Sequence, residues 1–323
     1  MVTTKKKKMI SVITPSYNEE ESIEACILRI REVFENHLPS YDYEHIICDN
    51  CSSDRTTQII KEFAQKDKRI KLVVNARNFG VFKSMFNGLK RSSGEAIIPL
   101  LPVDLQDPPE LIPEFVSLWE NGYDIVAGAR TVRKEPWLMQ KTRALFYRIL
   151  NFISDFEIPE KVGEFQLIDR KVANSVLQYK DRYPFLRSLI ASVGFKRIIV
   201  PYVWKKRAHG KSRMNLFILI DQALNGFFSF STFPLRVIFI VGTLVFAICL
   251  AYCVLLLGLY VTGNFFAEPG IPTILLAIFF FSGIQLMSVG ILGEYVHSIH
   301  RQSRGGPVVF EKETVNFVGD NHN

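Results

Sequence analysis

Ile10-Ser11-Val12-Ile13-Thr14-Pro15-Ser16-Tyr17-Asn18-Glu19-Glu20 runs from a short branched-apolar stretch straight into a polar turn. Residues 10–14 read as a buried strand, and Pro15 with the polar residues behind it ends that strand in a loop. Similar short strands recur at His45–Asp49, Ile70–Val74, Ala96–Leu101 and Asp124–Ala127. Between them, Ile23, Ile27, Ile30 and Phe34, then Ile59, Ile60 and Phe63, then Phe82, Phe86 and Leu89 carry helical spacing. Pro108 and Pro109 suit the first turn of a helix reaching about Asn121, because a missing N–H costs nothing there. Short strands alternating with helices predict one α/β domain over 9–213, built on a mostly parallel sheet.

Open α/β sheets bind ligands beyond the carboxyl ends of their strands, which singles out three segments. Thr14–Glu20 and Cys48-Asp49-Asn50-Cys51-Ser52-Ser53-Asp54 should border one crevice. The Asp49 carboxylate could accept an imide or amide hydrogen of a nucleobase, whereas Asp54 reads as the N-cap of the helix that follows. In Pro102-Val103-Asp104-Leu105-Gln106-Asp107-Pro108-Pro109-Glu110, two readings stand side by side. Asp104 and Gln106 lie two apart on one face of an extended chain and could share a hard divalent cation with a ligand's phosphates. Alternatively, Asp104 forms a turn and Asp107 caps a helix. Cations gather at Arg130, Arg133 and Lys134, and again at Lys205, Lys206, Arg207, Lys211 and Arg213 around His209 and Gly210. Such runs are either solvated faces or sites for anionic headgroups.

Hydrophobic residues make up 48% of the 323 residues, with 26 Phe, and the surplus lies after residue 236. Val237–Val261 and Ile271–Gly293 contain no charged side chain, and each is long enough to cross a ~30 Å hydrocarbon core at about 1.5 Å per residue. A purely soluble protein is therefore excluded. The expected order is a basic tail (1–8), the α/β domain, a juxtamembrane amphipathic helix (214–234), a membrane helix (235–262), an external loop (263–270), a second membrane helix (271–296) and a cytoplasmic tail (297–323). Thr142–Phe156 reads as a further amphipathic helix, in the core or at the interface. Arg236, Arg301 and Arg304 flank the apolar runs while the connector carries only Glu268, so both ends are expected on the cytoplasmic side. Ser282, Gln285, Gly290 and Gly293 allow close helix approach, either within the hairpin or in a homo-oligomer.

Thirty-nine Lys plus Arg against 32 Asp plus Glu give a net charge of +7, which favours phosphate-bearing or anionic lipid partners. No basic helix with interleaved aromatics is present, so nucleic acid is not expected as a partner. The five cysteines form no paired framework, which predicts a reducing compartment. Met9–Thr14 is too short for a signal-peptide core, and no secretory leader is expected.

Taken together, the segments resemble the membrane-anchored family-2 glycosyltransferases of the GT-A fold that act on polyprenyl phosphates. Dolichyl-phosphate mannose synthase and the undecaprenyl-phosphate glucosyl and aminoarabinosyl transferases belong to that group. The resemblance rests on Pro15–Glu20, Asp49–Thr56, Arg77-Asn78-Phe79-Gly80, Asp104–Glu110, Gly122–Asp124, Arg130–Arg133, Gly163–Leu167, Gly210-Lys211-Ser212 and Leu292–Tyr295, in that order and with the two-helix tail. It implies inverting transfer of a sugar from a nucleotide-diphosphate sugar to undecaprenyl or dolichyl phosphate at the cytoplasmic face of a bacterial inner membrane, for cell-envelope glycan or lipid. By position it assigns Pro15, Tyr17, Glu19, Asp49 and Lys83 to the nucleotide, and Asp104 and Gln106 to a divalent cation, Mg²⁺ or Mn²⁺. Arg130, Arg133, Arg207, Lys211 and Arg213 fall to the phosphates and acceptor, and Asp104 and Glu164 to catalysis. Three places depart from the family pattern. Pro102 replaces the first carboxylate of Asp-x-Asp, Asp49-Asn50-Cys51 replaces Asp-Asp-Gly, and Gly163-Glu164-Phe165-Gln166 replaces Gly-Asp-Phe-Arg. Proline supplies no side-chain oxygen, so any cation would depend on Asp104, Gln106, ligand phosphates and water. The alternative suggested by these departures is a silent relative serving as a membrane-bound scaffold.

Overall fold

A computed structural model describes residues 7–130, 162–179, 185–203, 271–303 and 306–317, together with 238, 240–245, 247–248, 251, 254, 258, 261 and 262. The expected amphipathic helices at Thr142–Phe156 and 214–234 lie outside the described residues, as do Arg133, Arg207, Lys211 and Arg213. Two compact units are present. One comprises Met1–Arg148, Phe156–Arg213 and Gly305–Asn323, and the other Ile149–Asp155 and Met214–Arg304.

The first unit is built on an eight-stranded sheet of order β7-β5-β6-β4-β1-β2-β3-β8. Its strands are β1 (Lys8–Ser16), β2 (Tyr41–Asp49), β3 (Ile70–Asn75), β4 (Ala96–Ile98), β5 (Ile125–Arg130), β6 (Val162–Asp169), β7 (Arg197–Tyr202) and β8 (Glu311–Val315). The pairs β1–β2, β1–β4, β2–β3 and β5–β7 are parallel, while β6 runs antiparallel to β4 and β5, and β8 antiparallel to β3. The sheet is covered by α1 (Ile23–His37), α2 (Thr56–Lys66), α3 (Val81–Arg91), α4 (Ile112–Glu120), α5 (Arg170–Leu177) and α6 (Leu186–Ser192).

Ile10, Val12 and Ile13 are all fully buried, which is what a strand covered on both faces requires. Ile10 and Val12 join one core cluster with Ile23, Cys26, Ile27, Ile30, Val33 and Phe34, the helical stripe of α1. Phe34 stacks on Tyr43 of β2 at 4.4 Å. Truncating a buried member such as Ile27 to Ala would cost about 2–5 kcal/mol. On α3, a Cβ at Gly88 would stand 2.5 Å from the Ile13 side chain and 3.0 Å from Cys48 Sγ, so the missing side chain lets that helix seat on the sheet.

The strands expected from the sequence are present, although β4 closes at Ile98 and only the Leu101 N–H continues the pairing, donating to the Ile13 carbonyl at 2.9 Å. The helix expected from Pro108 begins as a 3₁₀ turn over Pro109–Leu111 and becomes α4 at Ile112. β6, β7 and β8 were not anticipated as strands. Cys26, Cys48 and Cys51 are free thiols, even though Cys48 and Cys51 stand in C-x-x-C spacing.

In the second unit, α7 (Ile271–Ser303) runs for 33 residues, and the described residues between 238 and 261 are helical. Among the described residues, no helix is long and apolar enough to cross a membrane, and several side chains of α7 and much of 237–261 fall outside that set.

Candidate active site at the carboxyl edge of the sheet

β1 lies between β2 and β4, so its carboxyl end is the point where the strand order turns to either side. On one side Ser16 is paired with Asp49, and on the other Leu101 is bonded to Ile13. The loops carrying Asp49 and Asp104 therefore leave the sheet on either flank of β1. Asp104 and Glu19 both raise the Cys26 thiol, which burial in the first place pushes up to about 12, so both carboxylates lie within electrostatic reach of one buried group. Because β6 is antiparallel, its amino-terminal residues Gly163 and Glu164 also sit at the edge where the parallel strands end.

Each of the three loops leaving β1, β2 and β4 contains one non-glycine residue in the left-handed region: Asn18 (φ 54°), Cys51 (φ 63°) and Leu105 (φ 51°). Backbone of this kind costs energy unless its surroundings hold it, and it concentrates at functional loops. Here side chains hold it. Asn18 Oδ1 accepts the Ser53 N–H at 2.8 Å, and the Ser52 hydroxyl accepts the Asn18 N–H at 2.9 Å, lacing the first loop to the second.

The Asp49 carboxylate, fully buried, accepts from the Ser52 N–H at 2.9 Å, the Thr57 hydroxyl at 2.9 Å, the Ser16 hydroxyl at 3.2 Å and the Ser52 hydroxyl. It organises the loop after β2. Asp54 lies one residue before the N-cap Arg55, yet it accepts the first helical N–H, that of Thr56, at 3.0 Å, so its expected capping role is met from one position earlier.

Asn50, which stands where the family has a second Asp, forms a hub that the sequence did not reveal. Its Oδ1 accepts from Ser84 Oγ at 2.6 Å, Asn75 Nδ2 at 2.9 Å and the Phe79 N–H at 3.3 Å. The only sequence signal is the polar Asn75 that follows the apolar run Leu72-Val73-Val74. Lys83 occupies the first turn of α3, directly after Gly80, and is half-buried, as are Pro15, Tyr17, Asp104 and Gln106.

Asp107 is not a helix cap. It is sealed from solvent and receives Arg130 Nη2 at 2.9 Å, Arg130 Nε at 3.3 Å and the Tyr202 hydroxyl. The 3₁₀ turn begins at Pro109 with Pro108 as its N-cap residue, so Asp107 stands outside the helix. Burial would weaken the charged form of Arg130, but Asp107 and Tyr202 more than offset it and hold the guanidinium protonated. Asp104 itself accepts the Gln106 N–H at 3.2 Å and shapes the turn, so the turn-forming reading holds for it. Glu164 is raised above the ordinary carboxylate range by burial, against the pull of Arg187 and Arg130. Arg187, on α6, was not anticipated either; it donates to the Val162 carbonyl at 3.0 Å.

Among the described residues, no group of three or more His, Cys, Asp or Glu could hold a metal ion. Asp104 and Gln106 offer two hard oxygen donors two residues apart. That set fits Mg²⁺ or Mn²⁺ held jointly with ligand phosphates and water, and does not fit an all-protein cage.

The family model for glycosyl transferase family 2 matches residues 11–177, spanning β1 to α5. The chain is 37% identical over 300 residues to the bactoprenol glucosyl transferase of Shigella phage SfV, covering 92% of this chain and 96% of the phage protein. It has the same identity and coverage with the prophage bactoprenol glucosyl transferase homolog of Escherichia coli. An uncharacterized glycosyltransferase of Synechocystis is 36% identical over 301 residues, 93% of each chain. Among solved structures, the mannosyltransferase PcManGT from Pyrobaculum calidifontis in complex with GDP-Man and Mn²⁺ aligns at 16% identity and a TM-score of 0.47, over 93% of this chain and 76% of that one. The α/β domain has the GT-A fold, with its mostly parallel sheet, and the chain belongs to glycosyl transferase family 2.

Proposed function

We propose that the protein transfers a sugar from a nucleotide-diphosphate sugar to the phosphate of a polyprenyl lipid, with inversion at the anomeric carbon. The observation that carries this reading is the likeness to bactoprenol glucosyl transferases along more than nine-tenths of both chains, apolar tail included. The carboxyl edge of the sheet supplies the matching chemistry. Pro15, Tyr17 and Glu19 would form the nucleotide side of the crevice with Asp49 ordering the loop behind them, and Lys83 in the first turn of α3 would meet the diphosphate, where helix N–H groups also favour an anion.

The acceptor needs little activation. A phosphate monoester has a second pKa near 6, so its oxygen is largely anionic at neutral pH. That oxygen forms the new bond to the anomeric carbon, and the bond to the nucleotide diphosphate breaks with its electron pair leaving on the diphosphate. Glu164, whose carboxyl takes up a proton more readily than an exposed one, receives the proton of an acceptor that arrives as the monoanion. Arg130, Arg133, Arg207, Lys211 and Arg213 would supply the positive charge that offsets repulsion between the donor and acceptor phosphates. When bound by Asp104 and Gln106, a divalent cation supplies Lewis-acid stabilisation of the departing diphosphate.

The second unit suits the lipid partner. At about 1.5 Å per residue, α7 is roughly 50 Å long, and its sequence has no Asp, Glu, Lys or Arg from Ile271 to Gly293. Ile274, Leu286, Val289 and Val296 are each at least 60% exposed. A helix showing aliphatic side chains outward along its length suits hydrocarbon, not water. We read it as the second of two membrane spans, with Val237–Val261 as the first, and with the α/β domain on the cytoplasmic side. Gly290 and Gly293 then suit contact between copies in a homo-oligomer.

The test is transfer of radiolabelled sugar from a panel of UDP- and GDP-sugars into polyprenyl phosphate, with Mg²⁺ or Mn²⁺ and with chelator. Lipid-linked sugar from at least one donor is expected. A folded protein that makes no product with any donor would overturn the reading in favour of a scaffold.

A further inference from the structure

The last strand of the sheet is made by residues that follow α7 in the chain. β8 pairs antiparallel with β3, matching Leu72 with Val315, Val73 with Thr314 and Val74 with Glu313, and then slips by one residue before Asn75 meets Glu311. At that slip the Asn75 side chain leaves for Asn50 and Ser84. Just upstream of β8, the Phe310 carbonyl accepts the Ala76 N–H at 2.8 Å, and the Phe310 ring lies 6.5 Å from that of Phe79. Glu311 accepts from Asn87 Nδ2 at 2.7 Å and from Arg91 Nε at 3.1 Å, gripping α3. The short loop between β3 and α3, largely exposed, is thus tied at Phe79 to the Asn50 hub and at Ala76 and Phe79 to Phe310.

β8 also walls a hollow. Lys312 and Glu313 line a cavity of about 460 Å³ together with Cys51, Ser52, Asp54 and Thr57. Ser52 and Thr57 are two of the groups that donate to Asp49. The tail therefore touches the nucleotide side twice, through the Arg77–Gly80 loop, which leads into the turn of α3 that carries Lys83, and through the wall beside the loop after β2.

We propose that the segment Phe310–Glu313 is a positioning element for the nucleotide-diphosphate donor, holding the loop at Phe79 in its binding form. This rests on the reading of the strand-end crevice as the donor site. The physical argument is one of preorganisation: an exposed loop released from one of its anchors must be ordered again each time the ligand binds. Phe310 is 59% exposed, so its ring can be removed without opening the core.

The test uses the full chain in detergent, with Phe310→Ala and Phe310→Tyr. Donor and acceptor KM are measured separately, and Kd is measured for UDP and GDP. Phe310→Ala is expected to raise donor KM, and the Kd of whichever nucleotide the parent binds, by roughly five- to tenfold. The acceptor KM stays put, and Phe310→Tyr restores the parent values. An unchanged donor KM in Phe310→Ala, or donor and acceptor KM rising together, overturns the proposal. Should Phe310→Ala not fold, hydrogen exchange of the parent chain decides. Nucleotide is expected to slow exchange in 311–315 along with 77–80, and indifference of 311–315 sinks the idea. A parent chain that neither transfers sugar nor binds UDP or GDP instead removes the donor-site reading, and this inference with it.

Discussion

The fully buried Asp107 carboxylate lies 2.9 Å from Nη2 of Arg130, which keeps part of its surface exposed, and this ion pair ties the loop bearing Asp104 to the end of β5. Removing Arg130 leaves the Asp107 charge buried without compensation, a loss of about 3–5 kcal/mol. Arg130→Ala should therefore lower unfolding stability by that order. Tyr202→Phe, which deletes one hydroxyl, should cost only about 1–2 kcal/mol. Denaturant titration of both variants in one detergent is the check, and equal losses would mean the pair contributes no more than the hydroxyl does.

Cys51 occupies a left-handed position that the family fills with glycine. A side chain there costs about 1–2 kcal/mol, offset in part by the greater freedom glycine has in the unfolded chain. Cys51→Gly should stabilise by about 1 kcal/mol and raise Tm by roughly 2–4 °C. Cys48→Gly, at a buried strand position, should do the opposite. A lower Tm for Cys51→Gly would show that the thiol contributes contacts that outweigh the strain.

Acid should destabilise the domain from near neutrality downward. Burial alone pushes His45 down to about 3, where its Nε2 faces the Thr14 hydroxyl at 2.9 Å. Between the unfolded value of about 6.5 and that folded value, the unfolded chain takes up a proton that the folded one refuses, so stability falls by up to ~1.4 kcal/mol per pH unit. Glu44 adds a second loss at lower pH. Burial raises its pKa, but Lys71, the Ser11 hydroxyl and the Ser93 N–H outweigh burial and hold it below the ordinary value of 4.5, so its contribution disappears as pH falls through the folded value. Melting curves between pH 7 and 4 should show the slope, and His45→Gln should flatten it above pH 5. The same slope in His45→Gln would shift the effect to another group.

Asp104→Asn separates its two readings. Asparagine keeps the oxygen that accepts the Gln106 N–H, so stability should change by less than about 0.5 kcal/mol, while, if Asp104 holds a divalent cation against the diphosphate as proposed, loss of its charge should cut turnover on the order of 10²-fold. Chelator should reduce the parent enzyme strongly and the variant little. A variant with parent turnover would leave Asp104 as a turn former only.

What could be read from residues alone followed burial. β1, β2, β3 and β5 announce themselves because branched apolar side chains fill both faces. β8 is invisible to that logic: Glu311, Lys312 and Glu313 alternate charge, and their partners Lys61 and Arg91 lie more than two hundred residues away. The three crevice loops were legible because polar residues follow apolar strands abruptly. Their internal wiring was not. Nothing local shows that Asp107 would bond Arg130 and Tyr202, or that Asn50 would gather Ser84, Asn75 and Phe79, since each bond depends on chain segments brought together by the sheet.

Because β8 is translated after α7, the sheet has an open side throughout most of synthesis. Until 311–315 arrive, Leu72, Val73 and Val74 expose a bare strand edge of the kind on which neighbouring chains pair and aggregate. A message that stopped before codon 311 would thus release a domain that is nearly whole yet sticky along one margin, a defect that cellular proteases and chaperones can recognise without any loss of the candidate site residues themselves.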